Sequence, residues 1–278
     1  MTKKKILYIA PAISPYLEED YISTICRYLP QGIQERENEI RTFMPKYGLI
    51  NERKNLLHEV IRLSGQNIII EDADHPLIIK VASLQSVRMQ IYFIDSEDFF
   101  RRKFLFLDEN GDFFPDNDSR IIFFAKGVIE TVRKLGWNPD IIHCHGWVTS
   151  LIPLFIKTCY KDNPLFQDTR LVFSIYNDDF KNKFSSSFSK KLKITGIPRE
   201  ALKHFKRPYY EAVIKSAIDF SDAVVLGHPN IKRSIRTYLN KDENNMIFTH
   251  PDTDDYMEYT EKYEIFYEQL IEKQLFTS

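Results

Sequence analysis

An α/β fold, a mostly parallel sheet with flanking helices, is predicted by three observations. Short apolar runs rich in β-branched and aromatic residues, without helical period, recur along the chain, and such runs read as parallel strands buried on both faces. Helix-patterned segments separate most of them, and that alternation winds a parallel sheet. The third observation is local. Within Asp108 to Lys157, the run Pro139-Asp140-Ile141-Ile142-His143-Cys144-His145-Gly146-Trp147 is a strand that ends abruptly in polar residues, with a helix-like segment on each side. α/β proteins present chemistry at such carboxyl ends.

In order, Lys5 to Ala10 is the first strand, followed by a loop, Pro11 to Tyr16, that holds two prolines. Glu18 to Arg36 predicts a helix with Ile22, Ile25, Cys26 and Leu29 on one face, kinked or split at Pro30. Glu39 to Met44 is a second strand, closed by Pro45. Leu56–Leu63, Asn67–Glu71, Leu77–Ser83 and Met89–Ile94 read as a meandering insertion of antiparallel character, with Asp72-Ala73-Asp74-His75-Pro76 as one of its turns. Ile121 to Leu135 is a helix stopped by Gly136 and Pro139. Ile141–Cys144 and Arg170–Ile175 are strands around a helix at Thr149–Tyr160. Asn177 to Lys193, with little apolar periodicity and a Ser- and Lys-rich stretch, reads as an exposed, mobile loop. Arg207–Phe220 is a helix, Ala223–Leu226 a strand and Pro229–Tyr238 a helix. Asp254 to Leu275 is a long charged and aromatic helix whose Tyr256, Tyr259, Tyr263, Phe266 and Leu270 form a stripe suited to docking on the core. No linker divides the 278 residues, so a single domain is expected over 1–278.

A net charge of −1 gives no support for a nucleic-acid or membrane-surface partner, and no run approaches the length of a membrane span. Three unevenly spaced cysteines, Cys26, Cys144 and Cys159, suit reduced thiols, and the N-terminal apolar run reads as a strand and not as a leader. A cytoplasmic protein is therefore expected. Nine glycines leave little room for phosphate-cradling loops, and the segment after the first strand, Ser14-Pro15-Tyr16-Leu17-Glu18-Glu19-Asp20, has three consecutive acids and no glycine. It would repel a phosphate, whatever the helix dipole offers. No cofactor is expected.

His143 and His145 share one face of a strand, but no second cluster supplies further ligands at a recognisable spacing, so no metal site is expected. His143 reads as buried and hydrogen-bonded, with His145 lining a cleft. Cys144 beside them reads as an inert thiol on a buried strand. Asp116-Asn117-Asp118 and Asp108-Glu109-Asn110-Gly111-Asp112 are turn formers that complete no calcium loop.

These residues also carry a resemblance. Lys5 to Ala10 with Ile13-Ser14-Pro15-Tyr16, Met44-Pro45-Lys46-Tyr47-Gly48-Leu49-Ile50, Asp108 to Asp112, Pro115-Asp116-Asn117 with Arg120, Leu135 to Trp147, and Ala217 to Val225 together resemble, in order, the first half of a bacterial glycogen synthase or plant starch synthase. The family implies two Rossmann-like domains facing a cleft, the GT-B architecture. It also implies transfer of glucose from ADP-glucose to the non-reducing end of an α-1,4-glucan with retention of configuration. The resemblance covers the first, acceptor-side domain, with Asp254–Leu275 expected to pack back on it as the chain's last helix does in that architecture. The second domain, which holds most of the nucleotide sugar, has no counterpart among these residues.

Asp116, Asn117, His145, Trp147 and Asn177 match the family at positions that the resemblance assigns to the substrate, Tyr176 joins them as a substrate-binding candidate, and His145 and Asp116 are remnant cleft candidates. Other positions depart. The family's Lys-x-Gly-Gly-Leu loop is replaced around Leu17-Glu18-Glu19-Asp20-Tyr21, an Asp by Gly146, a His by Val148 and another cleft His by Tyr176; Leu226-Gly227-His228-Pro229 stands for its Val-Ser-Pro. Charge develops on the leaving diphosphate in the transition state, and the cation that would stabilise it is missing here. The expectation is a pseudoenzyme that binds an α-glucan or sugar, or acts as a regulatory partner. Two further readings stand beside it. One is a transferase completed by a separately encoded half. The other is a protein–protein module, or a homo-oligomer, that uses the open cleft face.

Overall fold

In the computed structural model, which describes residues 3–241 and 245–275, the central sheet follows from six strand segments that run parallel around β1 (Lys5–Ile9). β2 (Glu39–Pro45) lies on one side of it and β7 (Ile141–His145) on the other. Outward from β7 come β8 (Arg170–Ile175), β9 (Ala223–Leu226) and β10 (Met246–Thr249), all parallel. Outward from β2 come the parallel β6 (Met89–Asp95) and then the antiparallel β5 (Ala73–Leu84). β5 also pairs with β3 (His58–Glu59) and β4 (Gln66–Ile70). The predicted fold class is observed, insertion included.

The chain builds β1, β2 and β6 outward in one direction, then returns through α3 (Asn117–Leu135) to place β7 on the other side of β1. The order of strands reverses there, so the carboxyl ends of β1 and β7 form the switch-point crevice in which open α/β sheets bind ligands.

Strand alternation sends β7's Ile142 and Cys144 into the core under α3, α4 (Leu151–Lys157) and α6 (Tyr210–Asp219), and its Ile141, His143 and His145 to the opposite face. That opposite face is covered by α1 (Tyr21–Glu35) and α8 (Tyr256–Leu275). Ile25, Leu29 and Ile33 of α1 and Tyr259, Tyr263, Phe266, Tyr267 and Leu270 of α8 are all buried against it. The two helices approach closely at Gly32, where a Cβ would lie 2.4 Å from the Thr260 hydroxyl oxygen.

Several elements differ from the sequence reading. α1 runs uninterrupted through Pro30 because its buried face holds it together. Leu56–Leu63 is mostly turns, with only His58–Glu59 paired. The predicted turn at 72–76 is largely strand, since β5 begins at Ala73 and carries Pro76. The helix expected at Thr149–Tyr160 is a 3₁₀ turn, Trp147–Thr149, followed by the shorter α4. α7 (Arg233–Leu239) starts later than expected, and β10 was not foreseen. The largest correction concerns 177–193. Residues 177–187 are irregular and largely exposed as expected, but the segment is anchored and ends in a helix. Phe184 and Phe188 are buried, α5 (Phe188–Ile194) follows, and a 3₁₀ segment, Arg199–Lys206, continues to α6.

Candidate functional site

At the end of β7 the backbone turns through Gly146 with φ 69° and ψ 175°, a conformation open essentially to glycine alone. A Cβ at this position would lie 2.6 Å from a carboxylate oxygen of Asp178. That carboxylate accepts from the Trp147 backbone N–H at 3.0 Å and from the Tyr210 hydroxyl at 2.8 Å. Burial raises the Asp178 pKa, while these donors pull the other way. The Trp147 indole is then packed among Phe106, Phe180 and Phe184, at 4.5, 4.9 and 5.9 Å between ring centroids, and is 6% exposed.

The two histidines occupy the α8 face. The Tyr8 hydroxyl donates to Tyr267, whose hydroxyl is 2.7 Å from His143 Nδ1; His143 Nε2 is 2.7 Å from the Ser174 hydroxyl. His143 is buried and hydrogen-bonded. His145 stacks on it at 4.1 Å, and its Nδ1 meets the Tyr176 hydroxyl at 2.8 Å, while its Nε2, also buried, has no hydrogen-bond partner. His145 does not line an open cleft. It is fully buried, because Tyr176 and α8 cover the face on which it stands. Desolvation, reinforced by His250, pushes the His145 pKa down to about 3, and desolvation with both neighbouring histidines holds His143 well below its ordinary value. Both rings are neutral near neutral pH. Neither is set to donate a proton.

Tyr176 needs its own accommodation. A Cβ at Gly227 would lie 2.6 Å from the Tyr176 ring, so this tyrosine fits only because residue 227 has no side chain. Tyr21 closes over the same spot, 6.3 Å from Tyr176 and 5.1 Å from His228. Asn177, the next residue, is exposed.

Asp116 and Asn117 stand at the start of α3 and face a different task. Both Asp116 carboxylate oxygens are 2.7 Å from the Arg102 guanidinium. Asn117 donates to the Phe106 carbonyl and accepts from Arg120 at 2.7 Å. Arg120, 1% exposed, also donates to the carbonyls of Phe99 and Leu105, and desolvation lowers its pKa to about 10. These contacts fasten segment 99–106 and so place Phe106 against Trp147. Beside them, the Lys191 ammonium lies 3.0 Å from the buried Asp118 carboxylate, and burial is the main reason that the Asp118 pKa is raised.

At the start of α1 the Asp20 side chain accepts from Ser23 N–H at 2.7 Å and the Ser23 hydroxyl returns a contact to Asp20 N, a capping box. The helix end that could bind a phosphate is occupied by the protein's own carboxylate, with Glu18 and Glu19 exposed beside it. Burial also raises the Cys144 thiol pKa, so it is no nucleophile. Among the described residues, no group of three or more His, Cys, Asp or Glu lies where it could hold a metal. The three cysteines are unpaired, and no described helix is long and apolar enough to cross a membrane.

The model of the starch synthase catalytic domain matches residues 5–248. This chain belongs to that family. The glycogen synthase of Chlorobium limicola is 41% identical over 174 residues, covering 62% of this chain and 36% of that protein. That of Chlorobaculum tepidum is 40% identical over 190 residues, covering 68% and 39% respectively. The chain thus spans between 36% and 39% of the length of these two relatives. The catalytic domain of starch synthase IV from Arabidopsis thaliana, solved bound to ADP and acarbose, superposes with a TM-score of 0.70 over 91% of this chain and 54% of that one, at 18% identity, and thereby shows the shared fold.

Two steric pairs shape the site: Gly146 with Asp178, and Gly227 with Tyr176. Asp178, Tyr210 and Gly227 were not foreseen as partners in the site. Only the spacing Phe180, Phe184, Phe188, Leu192, an apolar residue every fourth position, signalled that 177–193 packs onto it.

Proposed function

We propose that this chain is a cytoplasmic, acceptor-side half of an ADP-glucose:α-1,4-glucan glucosyltransferase framework that binds α-glucan and carries out no glucosyl transfer by itself. The observation that carries the reading is the start of α1, where a self-capping Asp20 and two further acids stand at the family's cationic donor loop. Stabilising a leaving diphosphate is an electrostatic task for preorganised positive groups, and here that place is negative. The wall around β7 supports the absence of transfer and offers no open sugar site of its own. Of Asp116, Asn117, His145, Trp147, Tyr176 and Asn177, Asn177 is exposed and Asp116 half-buried, while the other four are buried structural members. Titration calorimetry tests the reading. Maltooligosaccharides or glycogen are expected to bind and ADP-glucose is not; micromolar binding of ADP-glucose would overturn it.

A second reading is favoured by the coverage of the relatives, since 36% to 39% of their length is matched. In it, a separately supplied nucleotide-sugar half completes the enzyme. Glucose transfer to glycogen on mixing the two polypeptides would establish it.

A further inference from the structure

An open aromatic cavity lies between α1, α8 and the segment that follows β10, and its volume is about 620 Å³. Its walls are Tyr21 and Tyr28 from α1, His250 from the end of β10, and Tyr256 and Tyr259 from α8. The rings are ordered against one another. Tyr28 and Tyr256 lie 5.5 Å apart between centroids with their planes 34° from parallel, and His250 lies 5.0 Å from Tyr259 and 6.2 Å from Tyr21. Tyr21, although aromatic, is 44% exposed. Polar groups enter at the rim from Thr24, Thr253 and Asp254.

This composition selects a ligand class. A pocket of a few hundred Å³, mostly aromatic with a few polar groups, is the usual form of a small-molecule site. Aromatic faces bind the C–H faces of a pyranose, while hydroxyl and carboxylate oxygens take up its equatorial hydroxyls. Phosphorylated ligands are disfavoured. Asp254 lines the cavity, and the Tyr21 pKa, raised mainly by burial, is raised further by the charges of Asp252 and Asp254. The cavity adjoins the buried wall at His145 and Tyr176, with Tyr21 and His250 standing between them.

We propose that this cavity is where the chain holds an uncharged α-glucan segment, stacked between Tyr21 and the Tyr28–Tyr256 wall. The proposal rests on the glucan-binding reading above and gives that reading a place. The site is assembled jointly by α1 and α8, so the helix that covers the sheet also completes the pocket.

Calorimetry of maltotetraose with the wild-type chain and with Tyr21→Ala, Tyr28→Ala and Tyr209→Ala tests it, each variant being checked for an unchanged fold by circular dichroism. Tyr209 is similarly exposed but lies elsewhere. Loss of either cavity ring is expected to weaken binding about tenfold or more, with Tyr209→Ala unchanged. Should Tyr28→Ala lose its fold, Tyr21→Ala decides alone, because Tyr21 is nearly half exposed and its removal uncovers less of the core. Equal affinity in all variants overturns the cavity and leaves glucan binding standing. Absence of binding of any maltooligosaccharide or glycogen to the wild type overturns both. Binding of tetramethylammonium in place of maltotetraose also overturns it, since acidic aromatic cages hold cations.

Discussion

The buried histidine pair makes the stability of this chain sensitive to mild acid. His143 and His145 stack at 4.1 Å with no exposure, and their pKa values fall well below the ordinary 6.5, that of His145 to about 3. Between the folded and unfolded values, the unfolded chain binds more protons. Stability is therefore complete above the unfolded value and is lost as the pH falls below it, at about 1.4 kcal/mol per pH unit for each ring. At pH 5.5 each histidine of the pair has cost about 1.4 kcal/mol and His250, held down to about 4 by burial, about as much again, so that the three together cost about 4 kcal/mol, a large share of the ~5–15 kcal/mol typical of a folded domain. Burial raises the Asp118 and Asp178 pKa values, so these carboxylates oppose the histidines as the pH falls. Asp219, held down to about 2 by His204, Lys203 and Tyr238 against its burial, loses its contribution only at lower pH. Urea unfolding followed by tryptophan fluorescence at pH 7.5, 6.5 and 5.5 is the assay. With an m-value of about 3 kcal/mol/M, the midpoint is expected to fall by about 1.4 M between pH 7.5 and 5.5, and His145→Gln to remove about a third of that fall. A midpoint that stays level to pH 5.5 would refute the reasoning, because the rings would then be charging without penalty.

Two other perturbations report on the parts that hold the site. Lys191→Met leaves the Asp118 carboxylate buried without its cation and is expected to cost about 3–5 kcal/mol in denaturant unfolding; adding Asp118→Asn should recover much of it, and equal losses in the single and double variants would deny the pairing. Removing the residues after His250 uncovers the faces buried by Tyr259, Tyr263, Phe266 and Tyr267, each worth about 1.5–3 kcal/mol, so that the melting temperature should collapse; an unchanged value would mean that α8 is dispensable to the fold.

The sheet was legible because its strands are buried on both faces and so appear as uninterrupted apolar runs. β1, β2, β7, β8 and β9 all show this, and α3 announces its end with Gly136 in the left-handed conformation. β10 escaped notice because an edge strand of four residues buries too little to leave such a run. The site was legible in composition but not in geometry. Alternation placed His143 and His145 on one face, yet nothing local to β7 told that a tyrosine thirty-one residues later and a helix at the other end of the chain would cover that face. Segment 177–193 was misread because its serines and lysines diluted the four-residue recurrence of its phenylalanines. Those rings are what seals Trp147.

The paired fit of Gly146 with Asp178 and of Gly227 with Tyr176 has a consequence for substitution. A side chain placed at 146 strikes a carboxylate, and one placed at 227 strikes a ring, so each single change starts from a collision. Histidine at 176 alone removes the hydroxyl that His145 contacts. The members of each pair are therefore coupled, and a side chain at either glycine requires its partner to change with it.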